Sequence, residues 1–375
     1  MQDSSFIYKF YYGWWKNIDK SILFLIMLLF CLGLFFSLVS TSLIASDKLN
    51  TNSYYFFFKH FFYICIGVFF IIFFSSISKD DLFKISILLF FVCFAFLALV
   101  PIIGIEVKGS KRWLDFLFLP RFQPIELLKP FLIVTFASIL SYENNKSIYY
   151  KCFLSFLILV PIIMLLIVQP DFGQTLLTFL TWISLIFVSG INLIIFFIFF
   201  FLFLFALVGA IFLFPNKFGY ILNRLKSFFD STSGNNYQSE KASEAIINGG
   251  FFGKGIGEGT LKNRVPEAHT DYIVSVISEE FGVLFIIILM VILLFFVYQV
   301  FKQLYTEVDN QTKLILVGSV SIILLQSLIH IGVNIRLLPT TGMTLPFISY
   351  GGSSIISTSI LSGIILNLTK RRINY

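Results

Sequence analysis

The sequence carries little charge for its length. Only 13% of its 375 residues are charged and 58% are hydrophobic, whereas soluble domains carry about 25% charged residues. This composition excludes an ordinary soluble globular protein. The alternating segments of about ten residues that build membrane β-barrels are also absent. Apolar runs of about 17 residues or more recur along the chain, and each can cross a hydrocarbon core of ~30 Å as a helix. The sequence therefore predicts a polytopic, all-α membrane protein.

Several other features are missing. The four cysteines, Cys31, Cys65, Cys93 and Cys152, lie in apolar runs without CxxC spacing, which excludes a cysteine metal site and a disulfide framework. No small-residue cleavage site accompanies the first apolar run, so we expect that run to remain as a membrane anchor. Neither a linker nor an internal repeat of the kind that builds inverted transporter halves is found. We therefore expect one domain over residues 1–375.

Ten membrane spans are predicted. They cover approximately residues 21–44, 56–75, 83–104, 125–141, 152–169, 173–190, 193–214, 272–300, 314–334 and 354–369. An even number of spans places both termini on one side. The short loops on that side hold more Lys and Arg than the opposite loops, so both termini are expected in the cytoplasm. The largest loop, about 215–271, then lies outside, and it is too short and glycine-rich to form its own core.

One outer loop, residues 105–124, is unusually basic for the outer face. Lys111, Arg112 and Arg121 suit a phosphate ligand, since Arg can hold phosphate through two parallel hydrogen bonds. Trp113 suits the level of the lipid headgroups. Simple anchoring to headgroups explains the same pattern, so both interpretations stay open.

Charged side chains also occur within and beside the spans. Glu126 and Lys129 are i, i+3 neighbours on an apolar helix and can form an ion pair. An ionisable residue inside a span is unfavourable and usually faces a cavity or a partner. Pro130 is expected to bend this span. Between the fifth and sixth spans, Gln169-Pro-Asp-Phe-Gly173 predicts a tight turn in which Asp171 caps the following helix.

The long polar loop ends in Pro266-Glu-Ala-His-Thr-Asp271, where the chain re-enters the membrane. Thr270 is expected to cap the eighth span and to leave Asp271 in its first turn. The positive end of the helix dipole should keep that carboxylate ionised, so Asp271 could act as a general base. Alternatively, Glu267, His269 and Asp271 could bind a divalent ion.

Two neighbouring features of this region are harder to interpret. Glu279 and Glu280, deeper in the eighth span, are expected to find Lys129 or Arg336 as partners. The glycine-rich segment 249–259 does not have the spacing of a phosphate-binding loop, and no strand precedes it, so a nucleotide site is not expected. Its glycines suit either a flexible loop or a backbone that packs closely against a headgroup or sugar.

The segment 334–354 contains two prolines and three glycines, which break any helix there. Irregular backbone near a membrane is tolerated only where it is buried or lines a cavity. We therefore expect a re-entrant or cavity-lining loop, with Ser349, Gly351 and Gly352 as candidates for substrate contacts.

Taken together, these motifs resemble the SEDS family of shape, elongation, division and sporulation proteins. The similarity rests on Lys111-Arg-Trp113, Arg121-Phe-Gln-Pro-Ile-Glu126 with Lys129, Gln169–Gly173, Pro266–Asp271 and Leu338–Ser354. They occur in the family's order and on ten spans. The last segment and the Trp14-Trp15 pair before the first span are more similar to division-type than to elongation-type members.

The resemblance implies a peptidoglycan glycosyltransferase of the bacterial cytoplasmic membrane. Its substrate would be lipid II, the undecaprenyl-pyrophosphate disaccharide-pentapeptide, polymerised during septal cell-wall synthesis. An essential acid is implied at Asp271, with functional roles for Arg121, Gln123, Glu126 and Lys129. A class B penicillin-binding transpeptidase, other division proteins and membrane lipids are the implied partners, and nucleic acid is not. No cofactor is implied, although a divalent cation stays open.

Two departures from the family pattern are visible. Ile125 stands where the family usually has Ser, which puts a hydroxyl contact at that position in doubt. The segment Asp230 to Gln238 is abbreviated, so partner contacts made by that part of the loop are expected to differ.

Two hypotheses follow for the function. In the first, Asp271 deprotonates the 4-hydroxyl of the acceptor sugar, which attacks the anomeric carbon of the donor, while Lys111, Arg112 and Arg121 hold the leaving pyrophosphate. In the second, a lipid II transporter, the charged residues inside the spans line a transit path. The polar residues lie mostly on the outer face, whereas a carrier needs access from both sides, and this favours the enzyme.

Overall fold

A computed structural model describes residues 12–40, 54–107, 109–116, 119–143, 146–213, 219, 228–229, 237–260 and 265–370. Its helices are α1 (Lys20–Ser40), α2 (Tyr55–Ser76), α3 (Lys79–Ile103), α4 (Pro124–Ser141), α5 (Ile148–Val168), α6 (Phe172–Val188), α7 (Leu193–Leu213), α8 (Tyr237–Gly249), α9 (Ile273–Phe281), α10 (Val283–Leu304), α11 (Asn310–Asn334) and α12 (Gly352–Leu368). Its strands are β1 (Ile105–Val107), β2 (Ser110–Phe116) and β3 (Leu119–Phe122). Most of the abbreviated segment Asp230 to Gln238 lies outside the described residues.

The described helices agree with the predicted polytopic helical fold. Seven of them (α1 to α5, α10 and α11) are long and apolar enough to cross a membrane. Shorter apolar helices are α6, α12 and the part of α7 from Leu193 to Phe205. Together they correspond to the ten predicted spans, so the fold class is confirmed.

Three helices form the centre of the bundle. α4, α11 and α12 are buried along most of their length, whereas α2 exposes most of its apolar surface. Small residues allow close helix contacts in this centre. A Cβ at Gly318 of α11 would meet the Ile133 side chain of α4 at 2.7 Å, and one at Gly67 of α2 would meet Ser359 of α12 at 2.3 Å. Several polar side chains of these helices, including Glu126, Lys129 and Gln326, are buried inside the bundle.

The eighth predicted span, 272–300, is wrong as one continuous helix. The chain forms α9 and α10, separated at Gly282, whose φ is +83° and ψ is 168°. This backbone conformation is essentially restricted to glycine. A Cβ at Gly282 would lie 2.1 Å from the Phe251 carbonyl oxygen. The break thus depends on glycine for its dihedral angles and for the close approach of another chain segment.

That other segment is the glycine-rich stretch 249–259. The backbone N–H of Val283 donates to the Gly250 carbonyl at 2.9 Å, and that of Lys254 donates to the Glu279 carbonyl at 2.9 Å. A Cβ at Gly253 would meet the Glu280 carbonyl oxygen at 2.2 Å. The glycines therefore permit close packing against the protein's own backbone.

The expected pairing of Glu279 and Glu280 with Lys129 or Arg336 is also wrong. Glu279 Oε1 accepts a hydrogen bond from Asn248 Nδ2 at 3.0 Å, and Glu280 Oε2 accepts one from the backbone N–H of Gly257 at 2.5 Å. Lys129 lies 2.7 Å from Glu126 instead. The two carboxylates thus bind α8 and the glycine-rich segment, which fixes these elements to α9.

The basic loop 105–124 folds into a small antiparallel sheet of order β1-β2-β3, which the sequence patterns did not predict. Trp113 is paired with Ile105, and Leu114 with Phe122. The rings of Phe116 and Phe122 pack against Phe96 of α3 at centroid distances of 6.0 and 5.8 Å. This aromatic contact fixes the sheet to the end of α3.

The other end of the bundle is held by polar contacts between helix termini. Asp309 caps α11 and lies 2.5 Å from Lys79 Nζ at the start of α3. Burial disfavours its carboxylate, but hydrogen bonds from Lys79 and Thr312 outweigh burial and lower the pKa of Asp309 to about 2. Gln303 Nε2 donates to Asp19 Oδ2 at 2.9 Å. These contacts tie the helix ends on the side away from the sheet.

Candidate active site

A cavity of about 740 Å³ lies where the sheet, the start of α2 and the segment between α11 and α12 meet. Its walls include nine of the predicted site residues: Arg112, Trp113, Arg121, Gln123, Glu126, Glu267, Asp271, Gly351 and Gly352. Residues 340–344 and 350–354 line it as well. The predicted cavity-lining character of the segment 334–354 is therefore confirmed.

Asp271 is half-buried in this wall, immediately before α9. The prediction that Thr270 caps the helix is wrong. The N-cap is Tyr272, without a side-chain cap, and Thr270 Oγ1 donates to Glu267 Oε2 at 3.1 Å instead. The Asp271 side chain faces the re-entrant segment, because a Cβ at Gly342 would lie 3.6 Å from Asp271 Oδ2.

The backbone around Asp271 is held from two sides. Asn334, at the end of α11, donates through Nδ2 to the Asp271 carbonyl at 3.1 Å and accepts from the Ser275 N–H at 3.2 Å. From the re-entrant segment, Ser349 Oγ donates to the Thr270 carbonyl at 2.8 Å. Ser349 therefore does not line the cavity but positions the residue before Asp271.

The arginines of the sheet reach the cavity, but each already has an acidic neighbour. Arg112 Nε lies 3.7 Å from Asp171 Oδ2, and its guanidinium donates to the carbonyls of Gln169 and Pro170. Arg121 Nε lies 2.8 Å from Asp115 Oδ2.

The structure also shows where Asp171 and Lys111 lie. Asp171 caps α6 as predicted, since its Oδ1 accepts from the Gln174 N–H at 3.3 Å. Lys111 is exposed and is not among the cavity-lining residues.

The predicted ion pair between Glu126 and Lys129 is confirmed, and it belongs to a longer buried network. Gln174 Nε2 donates to Glu126 Oε1 at 2.6 Å, and Lys129 Nζ donates to Gln326 Oε1 at 2.9 Å. Gln326 in turn donates to the Thr344 carbonyl at 2.9 Å. Glu126 lines the cavity while Lys129 lies behind it, so the network joins α4, α6 and α11 to the re-entrant segment.

Two further predicted residues are fixed by polar contacts or tight packing. Gln123 donates through Nε2 to Asp171 Oδ2 at 2.9 Å, and its N–H donates to Ser353 Oγ at 3.0 Å. A Cβ at Gly352 would meet the Tyr63 ring at 2.5 Å. Gly352 thus allows the aromatic ring of α2 to lie directly against the start of α12.

His269 does not line the cavity. Its ring lies 4.3 Å from the Phe56 ring and 5.9 Å from that of Tyr350, and its carbonyl accepts from the Tyr350 N–H at 3.0 Å. Among the described residues, no group of three or more His, Cys, Asp or Glu side chains is arranged to hold a metal ion. Glu267, His269 and Asp271 therefore do not converge as ligands of a divalent ion.

Several residues of the site were not predicted from the sequence. Lys59, Tyr63 and Tyr350 line the cavity, and Asn334 and Gln326 hold its walls. A buried Asn or Gln within an apolar helix was an available signal, because such a group needs a hydrogen-bond partner. Nothing in the local sequence placed α2 beside the re-entrant segment.

Comparison with known proteins assigns the chain to a family. The family described as cell cycle protein, which comprises FtsW, RodA and SpoVE, matches residues 19–374. A probable peptidoglycan glycosyltransferase FtsW of Caulobacter vibrioides is 31% identical over 362 residues, which cover 96% of this chain and 91% of the relative. The protein of the same name in Coxiella burnetii is 33% identical and covers 94% of this chain and 96% of its own length.

Solved structures support the same fold. A chain from a peptidoglycan synthase complex, described for its coordination of polymerization and crosslinking, superposes with a TM-score of 0.76 at 24% identity, covering 94% of this chain and 97% of that chain. The crystal structure of the rod shape determining protein RodA of Thermus thermophilus gives a TM-score of 0.68 at 23% identity, covering 94% and 96%. At this identity the likeness concerns the fold.

Proposed function

This chain belongs to the FtsW, RodA and SpoVE family of cell cycle proteins, and from that membership we propose that it is a peptidoglycan glycosyltransferase of septal cell-wall synthesis whose active site is the cavity around Asp271. The observation that carries the proposal is the placement of a half-buried carboxylate in one cavity with Arg112, Arg121 and an irregular, cavity-lining segment. A sugar-diphosphate reaction needs both a base and cations, and this cavity supplies them together.

The proposed reaction joins two lipid II molecules, or lipid II and a growing strand. Asp271 accepts the proton of the acceptor sugar's 4-hydroxyl, and the oxygen forms a bond to the anomeric carbon of the donor. The bond between that carbon and the diphosphate breaks, and undecaprenyl diphosphate leaves with the electron pair. Because attack and departure occur on opposite faces, the configuration inverts. A general base of this kind contributes about 10²- to 10⁴-fold to a rate.

The surrounding side chains have distinct roles in this proposal. Arg112 and Arg121 lie on the sheet wall and offset the charge that develops on the leaving diphosphate. Trp113, Gln123, Glu126 and Glu267 complete the wall that the headgroup contacts. Asn334 positions Asp271 by holding its backbone, and the long apolar tail of the substrate lies among the outward-facing apolar helices.

The proposal also covers the membrane location of the protein, its orientation and its partner. The protein is a membrane protein, and we place it in the bacterial cytoplasmic membrane with both termini in the cytoplasm, at the division septum. Its partner in this proposal is a class B penicillin-binding transpeptidase, which cross-links the new strand. The partner is supported by the likeness to a chain of a peptidoglycan synthase complex.

The experiment that tests the reaction class uses the purified chain with its transpeptidase partner and fluorescent lipid II. The expected result is a ladder of glycan polymers that forms only when the chain is present. The alternative, a lipid II transporter, predicts headgroup translocation across liposomes that depends on Glu126 and Lys129, tolerates loss of Asp271 and yields no polymer. That outcome would overturn the proposal.

A further inference from the structure

One wall of the cavity presents an ammonium and two phenol hydroxyls that have no hydrogen-bond or ion-pair partner among the described residues. Lys59 and Tyr63 are i, i+4 neighbours on α2 and so share one helix face, and Tyr350 comes from the re-entrant segment; all three line the cavity. Within the described part of the chain, neither tyrosine hydroxyl forms a hydrogen bond and the Lys59 ammonium forms no ion pair. That ammonium lies 4.3 Å from the centroid of the Tyr55 ring.

The two arginines of the cavity, in contrast, each have a carboxylate neighbour. Arg112 lies beside Asp171 at 3.7 Å, and Arg121 beside Asp115 at 2.8 Å. Their charges are partly compensated before any ligand binds. Among the described lining residues, Lys59 is the cation that lacks a carboxylate neighbour. The uncompensated positive charge of the cavity therefore lies on the α2 wall and not on the sheet.

Packing holds the two tyrosine rings of this wall close to each other. The Tyr63 and Tyr350 rings are 6.5 Å apart, and Phe56 packs edge-on against Tyr350 at 5.7 Å. Gly352 leaves space for the Tyr63 ring, since a Cβ there would lie 2.5 Å from it. Burial raises the pKa of Tyr350, so its hydroxyl stays protonated and can donate. An ammonium and two neighbouring hydroxyl donors match an anion with several acceptor oxygens.

We propose that Lys59, Tyr63 and Tyr350 form a subsite for a lipid-linked diphosphate, separate from the arginines of the sheet. The choice of ligand rests on the proposed function, because joining two lipid-linked sugars requires the protein to hold two diphosphates. The arginine wall then holds one of them and the Lys59 subsite the other. Lys59 lies one turn into α2, so its ammonium can meet a phosphate at the level of the headgroups.

Binding tests this subsite without any need for turnover. The full chain in phosphatidylcholine nanodiscs is titrated with undecaprenyl diphosphate, and the bound lipid is counted by native mass spectrometry. Lys59→Gln is expected to weaken one binding event about ten- to a hundredfold, as for loss of a charge-assisted hydrogen bond. Tyr63→Phe should weaken it several-fold, and Lys59→Arg should retain it. Lys84→Gln, which removes an exposed lysine near the start of α3, is the matched control and should leave binding unchanged.

The outcomes separate the subsite from the reaction. Equal affinity in wild type and Lys59→Gln overturns the subsite, even if glycan polymer forms normally. Binding that depends on Lys59 while no polymer forms supports the subsite and counts against the proposed reaction. Phosphatidylglycerol supplies the same phosphate chemistry from bulk lipid. If it displaces the diphosphate at comparable concentration, the site is a general headgroup site and the assignment to a diphosphate is wrong.

Discussion

The buried ion pair behind the cavity gives a stability prediction that can be worked from the structure. The side chains of Glu126 and Lys129 are 6% and 2% exposed and lie 2.7 Å apart. Lys129→Met keeps a similar volume but leaves the Glu126 carboxylate buried, with Gln174 as its remaining donor. Removal of one partner from a buried pair costs about 3–5 kcal/mol, whereas removal of both charges is often close to neutral. The single variant should therefore be far less stable than the double variant Glu126→Gln, Lys129→Met.

The assay is reversible unfolding in mixed micelles for the wild type, both single variants and the double variant. This double-mutant cycle isolates the interaction between the two residues. We expect a coupling free energy of about 2–3 kcal/mol or more, the upper range for residues in contact. A loss below about 1 kcal/mol for Lys129→Met, with no measurable coupling, would refute the reasoning from burial.

Three further predictions concern other parts of the molecule. Gly282→Ala should cost about 1–3 kcal/mol of unfolding free energy through backbone strain, measured by the same assay against Gly13→Ala, where a Cβ would meet no neighbour. The folded pKa of Asp309 is about 2 against an ordinary 3.8. The stability that its ionised carboxylate contributes is therefore present above about pH 4 and is lost as the pH falls through 2. Lys79→Ala should reduce this pH dependence of the unfolding free energy. Asn334→Leu should lower kcat about tenfold or more by releasing the Asp271 backbone, with a smaller effect on substrate affinity; an unchanged kcat would contradict a positioning role.

The fold class and the ion pair could be predicted because their signals are local. Apolar run length gives the spans, and the i, i+3 spacing brings Glu126 and Lys129 together whatever the tertiary structure. The break at Gly282 could not be predicted with the same ease, since a single glycine in an apolar run is also compatible with a continuous helix. Its cause is the approach of a segment about thirty residues earlier in the chain, which the sequence spacing does not reveal.

In the site, too, some features could be predicted from the sequence and others depend on tertiary packing. The glycosyltransferase hypothesis assigned Asp271 and Arg121 to one site and gave the re-entrant segment as a candidate for substrate contacts, and all three line the cavity. The contribution of α2 was missed because Lys59 and Tyr63 lie in an unremarkable apolar helix, and their function depends on which helix packs beside Tyr350. The sequence grouped Lys111 with Arg112, but Lys111 is exposed and is not among the cavity-lining residues, so its role as a phosphate contact stays a prediction.

The kinetic comparison of Asp271→Asn with the wild type tests the central claim most directly. Both proteins, with the transpeptidase partner, are assayed for polymerisation of fluorescent lipid II, and their unfolding and undecaprenyl diphosphate binding are measured in parallel. Because Asn cannot accept the proton, kcat should fall about 10²- to 10⁴-fold, with stability and diphosphate binding close to wild type. A stable Asp271→Asn protein that polymerises lipid II within tenfold of the wild-type rate would contradict the assignment of Asp271 as the general base.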